Sequence, residues 1–245
     1  MILNFIIKKF RLLLLMFLCG LSLLAQAGSE VGKVTHLSGL LTVDRDGTTG
    51  KILSIDSVIM EGDLLKTEED SFARIKFSDK SEVVLRPETE FKVNALKFNI
   101  EKPEENRVDM ELIKGGMRAV TGLIGKNNPD AVRTGTPTAT IGIRGTHFGA
   151  LFCDGNCGSV PTASGSPPPN GLHTDVVSGA ISLTNAAGSV TVGAGQYGYV
   201  ANSHAIPIIV PANQGVPVVM PPSISQYSSN VPGLGTSGDS SCAVR

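Results

Sequence analysis

Two cysteines separated by three residues are the most promising reactive side chains of this chain. Cys153 and Cys157 flank Asp-Gly-Asn, residues that favour a tight turn, so their sulfurs can form a disulfide in an oxidising compartment. A metal site is the alternative interpretation, but no second cysteine pair or histidine cluster nearby would complete a zinc ligand set. The sequence does not identify a partner for Cys242.

The other polar residues form no recognisable catalytic pattern. Four histidines occur singly among strand-like residues: His36, His147, His173 and His204. No histidine pair has the spacing of a metal or general-base motif, and no serine lies in G-x-S-x-G. We therefore predict a protein that is not an enzyme and that needs no cofactor or metal. A hydrolase of unknown type is a remote alternative.

Arg144 lies between Gly142 and Gly145 in a run of small and β-branched residues. No phosphate-loop lysine or dinucleotide fingerprint accompanies these glycines. An arginine has five donors that can satisfy otherwise unpaired acceptors. We expect Arg144 to bond neighbouring carbonyls or a buried carboxylate, and a place in a partner interface is the alternative.

The N-terminus has the features of a secretory signal peptide. Lys8, Lys9 and Arg11 precede an apolar run over 12–24, and Ala25 and Ala27 form an A-x-A site, which predicts cleavage after Ala27. The run is shorter than the roughly 20 residues that span a bilayer. We expect a periplasmic or secreted mature chain without a membrane span, and an uncleaved N-terminal anchor is the alternative.

The charge of the predicted mature chain argues against a nucleic-acid partner. Cleavage leaves 18 basic and 22 acidic residues, whereas nucleic-acid binding calls for a basic surface. From residue 149 to the end, only Asp154, Asp175, Asp239 and Arg245 are charged. This half depends on Ser, Thr, Asn and exposed backbone for solubility.

Short alternating runs between frequent turn residues predict an all-β fold. In "FARIKF", Ala73, Ile75 and Phe77 share one face, as successive residues of a strand point to opposite sides. "VDMELIKGG" places Val108, Met110 and Leu112 on one face, and we expect a turn at its glycine pair.

A possible internal repeat indicates the architecture. "LSGLLTV" at 37–43 returns as "VSGAISL" at 177–183, which favours a β-helix-like stack of short strands; a β-sandwich is the alternative. We predict a β domain over 28–205 with a projecting loop at 153–170. A Pro-rich tail over 206–245 would be extended or partly disordered, with at least one of its apolar clusters docked.

One stretch resembles a family signature. "VRTGTPTATIGIRGTHF", beginning at Val132, is similar to the motif that closes the conserved domain of the FecR family. The matching positions are Thr134, Arg144, Gly145, Thr146 and Phe148, and upstream Gly62 and Asp63 match a Gly-Asp step. The resemblance covers roughly residues 31–150.

The FecR resemblance implies an all-β domain outside the cytoplasmic membrane. Its best-known members relay signals from an outer-membrane iron-siderophore transporter to a sigma factor through a membrane helix, which a signal peptide replaces here. We expect an exported, non-enzymatic binding or scaffold module whose partner is an envelope or surface protein. The alternative is a periplasmic signal-transduction component held by an uncleaved anchor. The sequence does not indicate an oligomeric state.

Overall fold

The structure, a computed structural model, describes residues 28–160, 162 and 165–224. The predicted signal peptide, with Ala25 and Ala27, lies outside them. Nearly all the regular secondary structure of the described part is strand, which confirms the all-β prediction. The strands are β1 (Glu30–Ser38), β2 (Leu41–Arg45), β3 (Thr48–Leu53), β4 (Val58–Met60), β5 (Leu64–Thr67), β6 (Phe72–Phe77), β7 (Glu82–Leu85), β8 (Glu90–Lys97), β9 (Arg107–Val120), β10 (Val132–Gly135), β11 (Thr140–Cys153), β12 (Gly171–Asn185), β13 (Gly188–Gly193), β14 (Tyr197–Val200) and β15 (Ile208–Val210).

In the part of the chain that the structure describes, helical structure is confined to one short connection and two single turns. Helix α1 (Leu123–Asn127) follows β9, and 3-10 turns occupy Pro103–Glu105 and Pro129–Ala131. Among the described residues, no helix has the length and apolar character needed to cross a membrane.

The strands join one open, branched sheet. Its main path runs β15-β14-β12-β11-β10-β9-β7-β6-β1-β4, while β13 pairs with β12, and β8, β5, β2 and β3 branch from β9 in that order. All the strand pairs are antiparallel except β9 with β10. The β-helix-like stack and its β-sandwich alternative both stay predictions, since this pairing pattern confirms neither.

Three long strands change partners part-way along their length. The first part of β9 pairs with β8 and β10, and its last part pairs with β7 and β11. Likewise, β11 passes from β10 to β9, and β12 passes from β14 to β13. These strands therefore connect the two halves of the sheet.

Glycines allow these strands to bend without ending. Gly115 has a φ of 78°, a conformation that glycine adopts without steric cost, and β9 continues through it. The expected turn at Gly115-Gly116 was therefore wrong, because the left-handed glycine makes an irregularity within the strand. A side chain at Gly115 would also meet the backbone oxygen of Glu88 at 2.7 Å.

The buried apolar side chains of the described residues form two separate clusters. The main core takes the predicted face of β6, where Ala73, Ile75 and Phe77 are buried, together with Phe148 and Ala150 of β11. The second cluster takes Leu151 and Cys153 from the opposite face of β11. The last part of β11, from Phe148 to Cys153, is thus packed on both faces, which explains its continuous apolar sequence.

The chain after residue 205 packs against the sheet. Strand β15 pairs with β14 at the edge, and Val216, Val218, Met220 and Ile224 belong to the second cluster. Their mostly two-residue spacing is that of an extended chain. The structure thus shows apolar residues of the predicted tail docked on the sheet.

Candidate functional site

The sequence candidates for catalysis or metal binding do not gather at one place. His36 contacts Arg74, His147 contacts Arg118, and His173 Nε2 lies 2.8 Å from the Pro169 carbonyl oxygen. No group of three or more His, Cys, Asp or Glu side chains within the described ranges is arranged to hold a metal ion.

The structure joins Cys153 and Cys157 by a disulfide. Both cysteines are buried in the second cluster, together with Val160. The loop that was predicted to project at 153–170 therefore begins with a segment folded back onto the sheet. The disulfide holds that segment beside the docked tail.

Arg144 does not have the role that its position suggested. Its side chain is exposed, and among the described residues its guanidinium makes no hydrogen bond or ion pair. The expected bonding to carbonyls or to a buried carboxylate is corrected for a geometric reason: Arg144 lies at an irregularity of β11 that turns it toward solvent.

Thr146 performs the bridging that we had assigned to Arg144. Its hydroxyl donates to the Ala180 carbonyl oxygen at 2.8 Å, and its amide donates to Thr121 Oγ1 at 2.8 Å. Thr121 Oγ1 in turn donates to the Thr146 carbonyl oxygen at 2.9 Å. The threonine of the Arg-Gly-Thr element thus ties the end of β9 to β11 and β12.

Four other signature residues are buried or hydrogen-bonded within the fold. Thr134 and Phe148 are buried, and the Gly62 amide donates to the Val93 carbonyl oxygen at 2.7 Å. Asp63 is fully buried and accepts from Arg45 Nε and Nη2 at 2.6 and 2.5 Å. Arg45 lies outside the motif, and no sequence pattern pointed to it.

The most distinctive polar arrangement lies where the docked tail crosses the sheet. Strand register places Arg118 of β9, Gly149 of β11 and Asp175 of β12 side by side. Arg118 Nη2 lies 2.7 Å from Asp175 Oδ2, and their side chains are only 14% and 11% exposed. This ion pair spans the glycine between them.

The Arg118–Asp175 pair holds the backbone of one tail residue. The Val218 amide donates to Asp175 Oδ1 at 3.0 Å. The Val218 carbonyl oxygen accepts from Arg118 Nε at 3.0 Å and from Nη2 at 2.7 Å. Both backbone polar groups of Val218 are satisfied by charged side chains rather than by a neighbouring strand, and such bonds are stronger than neutral ones.

Gly149 makes room for this contact. A Cβ at residue 149 would lie 2.3 Å from Asp175 Oδ1 and 2.5 Å from Val218 Cβ, closer than packed atoms allow. Any side chain here would separate Val218 from the ion pair.

Apolar side chains of the second cluster border the ion pair. We call the set of Arg118, Gly149 and Asp175 with Val84, Leu151, Cys153, Cys157 and Val160 the cross-strand groove, and residues 216–224 the resident segment. The segment enters over Tyr197, because a side chain at Gly215 would lie 2.2 Å from Cγ of that ring. It therefore runs across the strands instead of adding a strand to the sheet.

His147 lies beside the groove and is neutral at pH 7. Burial lowers its pKa to about 4, and the positive charge of Arg118 contributes in the same direction, while Asp175 opposes it. Its Nε2 lies 3.4 Å from Arg118 Nη1.

Sequence reasoning missed the groove. Arg118 and Asp175 are 57 residues apart in the chain, and only the strand register brings them together. One signal was present: Asp175 is among only four charged residues after position 148, and an isolated carboxylate in an apolar strand needs a partner.

Comparison with known proteins confirms the family resemblance. The FecR protein family model matches residues 63–166, a range that includes Arg118 and Gly149. No curated protein matches the chain. Two crystal structures of a proposed anti-sigma factor from Parabacteroides distasonis ATCC 8503 align with TM-scores of 0.46 and 0.44 at 9% identity. Each alignment covers 62% of this chain and 60% of that protein.

Proposed function

Since residues 63–166 are a FecR-family region, we propose that this protein is a non-enzymatic binding module of the cell envelope whose partner is another protein. The observation that carries the proposal is the cross-strand groove, in which Arg118 and Asp175 hold the backbone of Val218. A surface that grips peptide backbone through side chains is suited to binding a protein segment.

The proposal includes export to the periplasm or beyond. The signal-peptide features at 1–27 and the Cys153–Cys157 disulfide support it, because disulfides persist in oxidising compartments. N-terminal sequencing of protein recovered from the native envelope tests this part. A start at Gly28 supports an exported, unanchored chain, and a start at Met1 contradicts it.

A signal-transduction role is the second candidate, and the FecR match favours it. In that role the protein would sense the state of a transporter from the periplasmic side and would keep its N-terminal segment as an anchor. The same N-terminal sequencing separates the two candidates.

The test of the binding function is a crosslinking experiment on the full chain. The tagged protein is crosslinked gently in its native envelope and recovered, and the proteins bound to it are identified by mass spectrometry. We expect one defined envelope protein, which an equally tagged unrelated periplasmic protein does not recover. Recovery of the protein alone would contradict the proposal.

A further inference from the structure

We infer that the cross-strand groove binds an extended apolar segment of the partner protein, and that residues 216–224 are a displaceable occupant that the partner replaces. The inference rests on the proposed function and names the chemistry of its partner. The resident segment shows what the groove accepts: aliphatic side chains at alternate positions around one residue that is held by its backbone.

The groove recognises backbone at its centre. Asp175 accepts the amide of Val218, and Arg118 donates to the carbonyl oxygen of the same residue. These backbone bonds do not depend on which side chain the residue carries, but proline cannot make the bond to Asp175 because it has no N–H. The partner segment therefore needs a residue other than proline at the centre.

The groove walls are apolar, and this sets the rest of the partner's chemistry. Val84, Leu151 and Val160 are buried together with Val216, Met220 and Ile224 of the resident segment. A charged side chain placed at these positions would lose its hydration without an ionic partner. We therefore expect an uncharged segment with Val, Ile, Leu or Met at alternating positions.

The resident segment is only loosely integrated with the sheet. It has no strand pairing, and Pro217, Pro221 and Pro222 provide no amide donors. Its connection to β15 at 211–214 is exposed and contains one short turn, in which the Gln214 amide donates to the Pro211 carbonyl oxygen at 2.9 Å. The segment can leave without breaking a strand ladder.

The ion pair lowers the electrostatic penalty for replacing the resident segment. Arg118 and Asp175 are bonded directly to each other at 2.7 Å, so loss of Val218 does not leave either charge without a partner. A buried charge without a partner is the main penalty when a polar contact is broken. The empty groove therefore keeps its charged centre in place for a new segment.

The test uses a proline substitution that releases the occupant and leaves the groove unchanged. Val218→Pro removes the amide that Asp175 accepts, whereas Val219→Pro is the matched control, because Val219 is exposed and donates no amide bond among the described residues. The probe is a fluorescein-labelled synthetic peptide of residues 213–224, and its binding to each full chain is measured by anisotropy.

We expect the Val218→Pro chain to bind the peptide at least tenfold more tightly than the wild type and the Val219→Pro chain, because its internal competitor is weakened. A peptide with proline in place of its central valine should not bind. Adding Asp175→Asn to the Val218→Pro chain should reduce binding at least tenfold. If the wild type, the Val218→Pro chain and the Val219→Pro chain all bind the peptide with equal affinity, the inference is overturned.

A second measurement covers failure of the Val218→Pro chain to fold. On the wild type, excess peptide should accelerate hydrogen exchange in residues 216–220 at least severalfold while exchange in β11 is unchanged. Unchanged exchange at saturating peptide would overturn the inference. The inference would also be overturned if the only effect of the peptide were to convert dimers into monomers, because the groove would then be occupied by a second copy of the chain. A partner that crosslinks equally well to a chain carrying Asp175→Asn would overturn the inference and leave the proposed function intact.

Discussion

At the scale of single residues, a buried ion pair and an exposed one differ sharply in importance. Arg118 and Asp175 are largely buried and also bond Val218, whereas Arg133 is 68% exposed beside Asp109. Removing one member of a buried pair leaves the other charge without compensation. Removing one member of an exposed pair changes little.

The two arginines provide a matched test of this difference. We predict that Arg118→Gln lowers the free energy of unfolding by about 3 kcal/mol, whereas Arg133→Gln leaves it nearly unchanged. Urea unfolding at pH 7 measures both values. Similar losses of stability in the two variants would contradict a larger stabilising role for the buried pair.

His147 gives stability a dependence on pH. Its folded pKa of about 4 is below the ordinary value near 6.5, so between these values the unfolded chain binds more protons than the folded chain. The stability that comes with neutral His147 is fully present above about pH 6.5 and is lost as pH falls toward 4. Melting temperature measured across this range should decrease less steeply in His147→Gln than in the wild type, and parallel curves would contradict the assignment.

The Arg-Gly-Thr element shows how far the sequence was informative at this scale. The motif correctly marked a place where β11 is fixed to its neighbours, but the bond is made by Thr146 and not by Arg144. The direction of each side chain depends on the irregularity between Arg144 and His147, which composition does not reveal.

At the scale of the elements, β12 passes very close to the backbone of β11 at Gly179. Gly179 has a φ of 78°, and a Cβ there would lie 2.5 Å from the Gly145 carbonyl oxygen. Gly145 also has a positive φ, of 58°, but a Cβ there meets nothing within 4 Å. A side chain at Gly145 would therefore cause backbone strain alone, whereas one at Gly179 would cause both strain and a steric clash.

We predict that Gly145→Ala costs about 1 kcal/mol of stability from strain alone, and that Gly179→Ala costs about 3 kcal/mol because the collision adds to the strain. Thermal unfolding of both variants measures the difference. Equal losses would show that the sheet adjusts at Gly179.

Alternation predicted the elements well where one face is buried. Val108, Met110 and Leu112 of β9 lie in the main core as expected. The same reasoning did not foresee that Arg74, on the opposite face of β6 from Ile75, is only 2% exposed. Periodicity identifies which residues share a face, but it cannot show what covers the second face.

At the scale of the whole molecule, the resident segment covers apolar surface and contributes little net stability. Burial of its four aliphatic side chains gains about 2 kcal/mol each, and ordering its nine residues costs about 1 kcal/mol each. These opposing contributions nearly cancel.

Truncation tests this balance. We predict that a chain ending at Gly215 unfolds with a free energy within about 3 kcal/mol of the full chain but binds the dye ANS strongly, because the groove is exposed. A chain ending at Ile224 keeps the resident segment and serves as the control, with ANS binding like that of the full chain. Complete unfolding of the shorter chain would show that the segment is part of the core.

The distance along the chain between Arg118 and Val218, which is 100 residues, also determines when the groove closes. In the unfolded chain, bringing the two together carries a loop-closure cost of about 4 kcal/mol, and pairing of β12 with β11 and β14 reduces that cost before the segment docks. A chain made from its N-terminus also contains every strand of the groove before it contains Val218. Refolding should therefore show β structure by circular dichroism before the tyrosine fluorescence, to which Tyr197, Tyr199 and Tyr227 contribute, changes as Gly215 packs on Tyr197. A newly made molecule thus passes through an interval with its groove open, and a partner present then binds before it must compete with the resident segment.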